Sequence, residues 1–424
     1  MYKKSEQLLD RALNAIPLAS QTFSKSLSHY PRGASPFFIE KGSGAAVWDV
    51  DGNKYTDFVS SLAAVTLGYC DRDIDTAVEK QMKNGVTFSL PHILEMEVAE
   101  KLIEIIPCAE KVRFAKNGTD ATSASIRIAR AYTGKEHVAV CGYHGWQDWY
   151  IGSTARNLGV PDCVKALTHN FQYNDIESLE AIFQEQELAC VIMEPMNAEY
   201  PIDNFLKKVK ELAHENNALL IFDETITGFR YSLGGAQELF NVIPDLATFG
   251  KGMANGYPLS AVVGSNKVMK LVEDIFFSGT FGGETLSLAA ASAVIDKYKK
   301  LQVVEHFVEV GNYLLEGLNK LISENGLADI VSVSGHPSWS FIHIKENKKY
   351  SSFEINTFFL QEMFKRGKLT LGTHNLSYSH NKTEVNELLK VYAEVFPMIK
   401  RNIENDSLLD NLECEVLEPL FKTR

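Results

Sequence analysis

Two short apolar runs, each cut off by a charged turn, constrain this chain more than any other feature. Residues 218–222 (ALLIF) end in Asp223 and Glu224, and residues 246–249 (LATF) end in Gly250-Lys251-Gly252. Runs of that length bounded by turn residues read as buried strands of a parallel sheet. Open sheets of this kind bind ligands outside the carboxyl ends of their strands, so both charged groups are delivered to one rim. A lysine there can form a Schiff base with a carbonyl, and an acid can hold a pyridinium nitrogen protonated. Those are the two protein groups that pyridoxal phosphate needs. Taken singly, an Asp after a strand is more often a cap or turn residue, and a Lys between glycines a solvated one. The pair gains weight because both residues follow apolar runs.

The surrounding chain supplies more of the same architecture. Strand-like and helical stretches alternate from about residue 95 to 300, which predicts a doubly wound, mostly parallel sheet. Residues 112–115 read as a strand, followed by Asn117-Gly118-Thr119-Asp120 and a helix over about 121–132. A glycine turn opening a helix offers free N–H groups and the positive end of the helix dipole, a ready phosphate site with the Thr119 hydroxyl as an extra donor. An isolated turn of this composition is more often a plain cap. Residues 137–141 form another expected strand, ending in Gly142-Tyr143-His144-Gly145-Trp146. An aromatic ring there can stack on a flat cofactor or pack beneath the loop, as Trp149 and Tyr150 are expected to do. A further strand, 190–193, runs into Glu194-Pro195-Met196-Asn197, and the donor-rich turn Ser278-Gly279-Thr280-Phe281-Gly282-Gly283 precedes a helix from about Thr285.

Toward the ends the pattern changes. Residues 1–16 read as a helix, 21–35 as a polar arm, and 37–59 as strands with a hairpin turn at Asp51-Gly52, since that pair suits the turns hairpins require. A helix from near His92 stops at Pro107. After about residue 305 a helix (312–324), strands (330–333, 340–344) and a long helix (383–401) indicate an α+β domain whose sheet takes in the strands before residue 60. The expected division is 1–70 as arm and part of the small domain, 71–305 as the large cofactor-binding domain, and 306–424 as the small domain.

The chain has 54 acidic against 42 basic residues, a net charge of −12. That excess argues against nucleic acid as a partner. No long uncharged apolar segment points to a membrane span, and the charged amphipathic start is unlike a signal peptide, so a cytoplasmic location is expected. The six cysteines show no C-x-x-C pair and the 11 histidines no HExxH spacing, so neither disulfides nor a metal site is expected.

In order, the segments VWDVDGNKYTDF, NGTDATSASIRIARAYTG, YHG, MEP, LLIFDETITGFR, PDLATFGKGMANGYPLSAVVG and SGTFGG resemble those of the class III, fold-type I pyridoxal-phosphate aminotransferases. Within that class the chain looks most like the branch containing glutamate-1-semialdehyde 2,1-aminomutase. The resemblance covers more than half the chain and implies roles residue by residue. Lys251 matches the Schiff-base lysine and Asp223 the partner of the pyridine nitrogen. Gly118 and Thr119 match the phosphate turn, Tyr143 the stacking ring with His144 beside it, and Glu194 an acid near substrate and cofactor. Asn197 falls close to the residue that contacts the cofactor's phenolic oxygen, with the local spacing compressed. Thr280 matches a threonine that reaches the phosphate of a neighbouring subunit's cofactor, which implies a homodimer with shared active sites.

The departures bear on substrate. The aminomutases carry an arginine for the substrate carboxylate near the N-terminus. Here the aligned stretch is Phe23-Ser24-Lys25-Ser26-Leu27, with Arg32 out of register, and an expected tryptophan is replaced within Ser61-Leu62-Ala63-Ala64. The cofactor machinery is kept while substrate-side residues differ. The expectation is an aminotransferase acting between an amino donor and a small carbonyl acceptor, such as an oxo-sugar. The aminomutase reaction is the alternative, and a cofactor-binding protein without catalysis, a racemase or a decarboxylase are weaker ones.

Overall fold

The computed structural model describes residues 1–418. The described residues form two compact units, one of Arg72–Val304 and one that joins Met1–Asp71 to 305–418.

The Arg72–Val304 unit is built on a seven-stranded sheet. Its strands are β1 (Lys111–Ala115), β2 (His137–Cys141), β3 (Thr168–Asn170), β4 (Leu188–Met193), β5 (Leu219–Asp223), β6 (Leu246–Phe249) and β7 (Ser260–Gly264), in the order β1-β7-β6-β5-β4-β2-β3. The run β6-β5-β4-β2-β3 is parallel, whereas β7 is antiparallel to both β1 and β6. Every residue of β4, β5, β6 and β7 is buried, as expected for strands covered on both faces. The helix Gly118–Thr133 packs close because Ala121, Ala124, Ser125, Ile128 and Ala129 face inward. It shares a core with Val140, Ile192, Ile221 and Val262. Truncating one of these, such as Ile221, to alanine removes roughly 2–5 kcal/mol of stability.

Register sets the working rim. Cys141 pairs with Met193, Met193 with Phe222, and Asp223 with Thr248. The carboxyl ends of β2, β4, β5 and β6 are therefore level, and the turns after them emerge side by side.

The other unit carries a four-stranded sheet in the order Ile39–Ser43, Ala46–Asp49, Lys54–Asp57, Lys368–Leu369. Its last strand is parallel to Lys54–Asp57, so the small-domain sheet does draw on both chain ends. A three-stranded sheet, Val331–His336, Trp339–Ile344 and Thr373–Asn375, lies in the same unit. The expected helix at 312–324 is longer, Val303–Glu324. Phe307, Val310, Leu314 and Leu318 are buried at helical spacing, and the break falls earlier, at Gln302 with φ of 48°. The helix after β1 likewise starts three residues before the expected Ala121, at Gly118. Among the described residues no helix is long and apolar enough to cross a membrane.

Candidate active site

Asp223 ends β5 and is 5% exposed. Its Oδ1 accepts from the Thr225 N–H at 3.1 Å, the Thr225 hydroxyl at 2.5 Å and the Thr248 hydroxyl at 3.0 Å. Its Oδ2 lies 2.9 Å from His144 Nδ1. Burial pushes this carboxyl up, but the His144 and Thr225 bonds outweigh it, so its pKa falls below the ordinary value. Asp223 is thus a buried acid that stays ionised.

Lys251 follows β6 after one glycine and has φ of 41°. A non-glycine residue in that region is strained, and such strain is found where a side chain must be aimed. Its ammonium has no hydrogen bond or ion pair among the described residues. Burial lowers its pKa, with Glu194 and Asp223 opposing and Arg230 adding to the shift. Arg230 is itself fully buried, its pKa lowered to about 10 by desolvation.

Glu194 follows β4 and is 9% exposed. Its Oε2 accepts from the Tyr143 N–H at 3.0 Å and from Asn197 Nδ2 at 3.2 Å. Burial, and then the charge of Asp223, raise its pKa. Two acids a few residues from one rim are therefore pushed apart, Asp223 toward the anion and Glu194 toward the neutral form. Such splitting is how a site assigns different proton tasks to like groups. Gly142 is required beside it: its φ is 104°, and a Cβ there would sit 2.5 Å from Glu194 Oε2.

The helix Gly118–Thr133 presents its N-terminus to the same region. The Asp120 carboxylate folds back to the Asn117 N–H at 2.8 Å, while the Gly118 and Thr119 N–H groups find no partner among the described residues. Thr119 is buried, and its hydroxyl accepts only a long bond, 3.3 Å, from the Trp146 N–H. Unpaired donors at a helix N-terminus fit a phosphate. Tyr143 is 62% exposed, with its ring edge-on to Tyr150, while Trp149 and Tyr150 pack beneath as expected.

His144 is 1% exposed and touches Asp223. The Asn197 amide is turned onto Glu194. Thr280 stands on an exposed loop beside a cavity of about 340 Å³, lined also by Asp120, Arg127, Gln147 and Phe281. Four partners were not anticipated: Thr225, Thr248, Glu224 and Arg230. A threonine inside the LATF run was the available signal for Thr248. Glu224 is fully buried. It accepts from the Ala236 N–H at 2.7 Å, the Gln237 N–H at 2.9 Å and the Thr227 hydroxyl, which fixes the loop carrying Arg230.

In the other unit, Arg32 is engaged on the helix Lys3–Ala15. Its Nε meets Glu6 at 2.9 Å and its terminal nitrogen Asp10 at 2.8 Å. The stretch that departs at the expected tryptophan forms a left-handed turn, with φ of 46°, 51°, 58° and 67° at Ser60, Ser61, Leu62 and Ala63. Each such residue costs roughly 1–2 kcal/mol. The turn is held by Asp57 Oδ1, which accepts from the Val59 and Ser60 N–H groups at 2.7 and 3.0 Å, and by Asn375 Nδ2 donating to Val59 O at 2.7 Å.

Helix N-terminal donors and a lysine that have no partner among the described residues, an ionised buried acid and an exposed aromatic ring form a set that fits pyridoxal 5'-phosphate. The comparisons agree. The family profile for aminotransferase class-III matches residues 29–377. The chain is 33% identical over 410 residues to the 3-aminobutyryl-CoA aminotransferase of Cloacimonas acidaminovorans, covering 94% of this chain and 98% of that protein. It is 38% identical over 341 residues to the glutamate-1-semialdehyde 2,1-aminomutase of Francisella philomiragia, covering 74% of this chain and 77% of that protein. The PLP form of the FumI protein of a Sphingopyxis species superposes with a TM-score of 0.88 at 27% identity, covering 95% of this chain and 98% of that one. The chain belongs to the class III aminotransferases, and pyridoxal 5'-phosphate is its cofactor.

Proposed function

We propose that this aminotransferase moves an amino group between two separate molecules, an amino donor and a small carbonyl acceptor, with Lys251 and Asp223 as its catalytic residues. When bound, the cofactor supplies an electron-withdrawing pyridinium ring. Asp223 would hold the ring nitrogen, Lys251 would anchor the group and, once freed, move a proton at the substrate carbon with its Nζ, and Gly118 and Thr119 would hold the phosphate. Tyr143 would lie against the ring. Glu194, its pKa raised by burial, would stand beside them, and its bond to Asn197 orients that amide.

The observation that carries the intermolecular reading is the Arg32 fork. An aminomutase must grip a substrate carboxylate, and arginine does this bidentately where lysine does not. Arg32 already spends its guanidinium on Glu6 and Asp10, and the stretch 23–27 has no arginine. For the substrate we favour an amine on the carbon β to an acyl group over an oxo-sugar. The support is the likeness to a 3-aminobutyryl-CoA aminotransferase along nearly the whole chain. The test is a half-reaction screen of purified enzyme against β-amino acids, their thioesters, α-amino acids and amino sugars, following the absorbance of the bound cofactor. Response to β-amino acyl compounds is expected, and response to amino sugars alone would overturn the substrate reading.

The working form is a homodimer with shared sites. Thr280 and Phe281 are exposed, as are Phe88, Leu90, Ile93 and Met96 at 46%, 79%, 59% and 55%. The Thr285 N–H bonds to Val86 O at 2.9 Å, which ties the start of the helix after the Thr280 turn to the chain just before Phe88. A second copy covering these residues would receive Thr280 at its own phosphate.

A further inference from the structure

We infer that Glu284 is a positioning residue for the cofactor phosphate. By gripping Lys116 it sets the turn that opens the helix Gly118–Thr133 and the Thr280 turn as one unit. This role rests on the proposed reading of Gly118, Thr119 and Thr280 as phosphate contacts.

Lys116 directly precedes the Asn117-Gly118-Thr119 turn, and Glu284 directly follows the turn 278–283. Lys116 Nζ lies 2.9 Å from Glu284 Oε2, with the side chains 19% and 14% exposed. The carboxylate is also held by its own stretch of chain. Its Oε1 accepts from the Leu286 N–H at 2.7 Å, and its Oε2 from the Ser287 N–H at 3.2 Å and the Ser287 hydroxyl at 2.6 Å, which caps the helix Thr285–Leu301. Burial pushes the Glu284 pKa up, but the bonds from Ser287, Lys116 and Leu286 outweigh it, so it falls below the ordinary value. Two other charged side chains line the cavity beside Lys116, and both are engaged elsewhere. Asp120 accepts from the Asn117 N–H, and Arg127 donates to the Phe276 carbonyl oxygen at 2.9 Å. Glu284 is the one ion-pair partner of Lys116 among the described residues.

A surface ion pair is worth little because both side chains stay mobile. Glu284 is not free to move, since swinging away would uncap its helix. The pair therefore restrains Lys116, whose backbone runs straight into the Gly118 and Thr119 N–H groups. The same turn is also gripped by Ser260 of β7, whose hydroxyl donates to Asn117 O at 2.7 Å. The Thr280 turn is seated as tightly. A Cβ on Gly283 would fall 2.5 Å from the Glu95 carboxylate, and one on Gly282 would fall 3.3 Å from the carbonyl oxygen of Phe114 in β1, the strand that leads to Lys116. A helix cap by itself needs no lysine. Lys116 is what extends the cap to the phosphate turn.

The test is PLP affinity by fluorescence titration of the full-length protein. Lys116→Met leaves the Glu284 cap intact. It should weaken PLP binding roughly tenfold, the order for losing a hydrogen bond to a charged group, with little change in the melting temperature of the PLP-free protein. The loss should be absent for pyridoxal, which lacks the phosphate, and Lys116→Arg should keep most of the affinity. Glu284→Gln keeps a cap acceptor without the charge and should match Lys116→Met. The double variant should be no weaker than either single one, because both remove one interaction. Wild-type affinity in Lys116→Met, additive losses in the double variant, or an equal loss for pyridoxal would overturn the positioning role. So would tighter binding in Glu284→Gln, which would mean that a released Lys116 acts on the phosphate itself. Glu284→Gln, with pyridoxal as control, decides the point if the methionine variant does not fold. The two readings fail separately. If Thr119→Val binds PLP as wild type does, the phosphate reading falls whatever Lys116 does. If Thr119→Val weakens PLP binding and Lys116→Met does not, only the role of Glu284 falls.

Discussion

A Cβ built on Gly145 would fall 2.2 Å from the Thr119 hydroxyl oxygen. The loop after β2 thus closes on the helix N-terminus so tightly that only glycine is admitted, and its φ of 108° demands glycine as well. The β2 loop and the helix N-terminus are one device, since the Trp146 N–H also reaches that hydroxyl.

Gly145→Ala should therefore weaken PLP binding while leaving the fold intact. The strained φ costs the fold about 1–3 kcal/mol, and displacement of the Thr119 hydroxyl from a charged phosphate weakens binding by roughly tenfold or more. Equilibrium dialysis of PLP measures this. Unchanged affinity would show that Thr119 does not hold the phosphate.

Asp223→Asn keeps the shape of the side chain and removes its charge. Turnover should fall by about a thousandfold or more, the order for removing a preorganised charge from a reacting centre. Steady-state kcat with saturating PLP is the measurement, and a near-normal value would remove Asp223 from the mechanism.

Lys251 gives a stability prediction with a definite sign. Its pKa is lowered from 10.5 in the folded protein by burial, so below that value the unfolded chain binds more protons than the native one. Stability therefore rises with pH through the window between the lowered value and 10.5. PLP-free Lys251→Met should melt higher than PLP-free wild type at neutral pH, with the difference shrinking as pH approaches 10.5. Thermal unfolding of the two proteins across pH checks it. An advantage that grew with pH would contradict the assignment of Lys251 as a desolvated amine.

The proposed shared-site dimer predicts complementation. Mixed dimers of a Thr280→Val chain with a Lys251→Ala chain contain one site with both lesions and one with neither, so activity should partly return. Separated, verified hybrids with no recovered activity would mean that Thr280 serves no neighbouring site.

The strands that build the rim were legible because their burial is written as unbroken apolar runs. LATF is β6 residue for residue, and both charged residues are where those runs stop. The antiparallel β7 was not legible, because a buried run such as 260–264 reads the same in either direction and only its pairing to β1 and β6 fixes its sense. The tie between His144 and Asp223 was hidden for another reason. The two are 79 residues apart, and their meeting depends on the register of β2, β4 and β5, which no local pattern encodes. The Glu224 anchor has no local signal: it directly follows Asp223, yet its carboxylate accepts from the first N–H groups of Ala236–Leu239.

The central claim is that nitrogen passes between two molecules. The direct measurement follows a nitrogen-15 label from a β-amino acyl donor into an added carbonyl acceptor by mass spectrometry, beside a parallel reaction with glutamate 1-semialdehyde and no donor. The account predicts label in the acceptor's product, little or no 5-aminolevulinate from the donor-free reaction, and no effect of Arg32→Ala beyond the loss of surface ion pairs worth at most about 1 kcal/mol. Efficient donor-independent formation of 5-aminolevulinate, abolished by Arg32→Ala, would contradict it and make the enzyme an aminomutase.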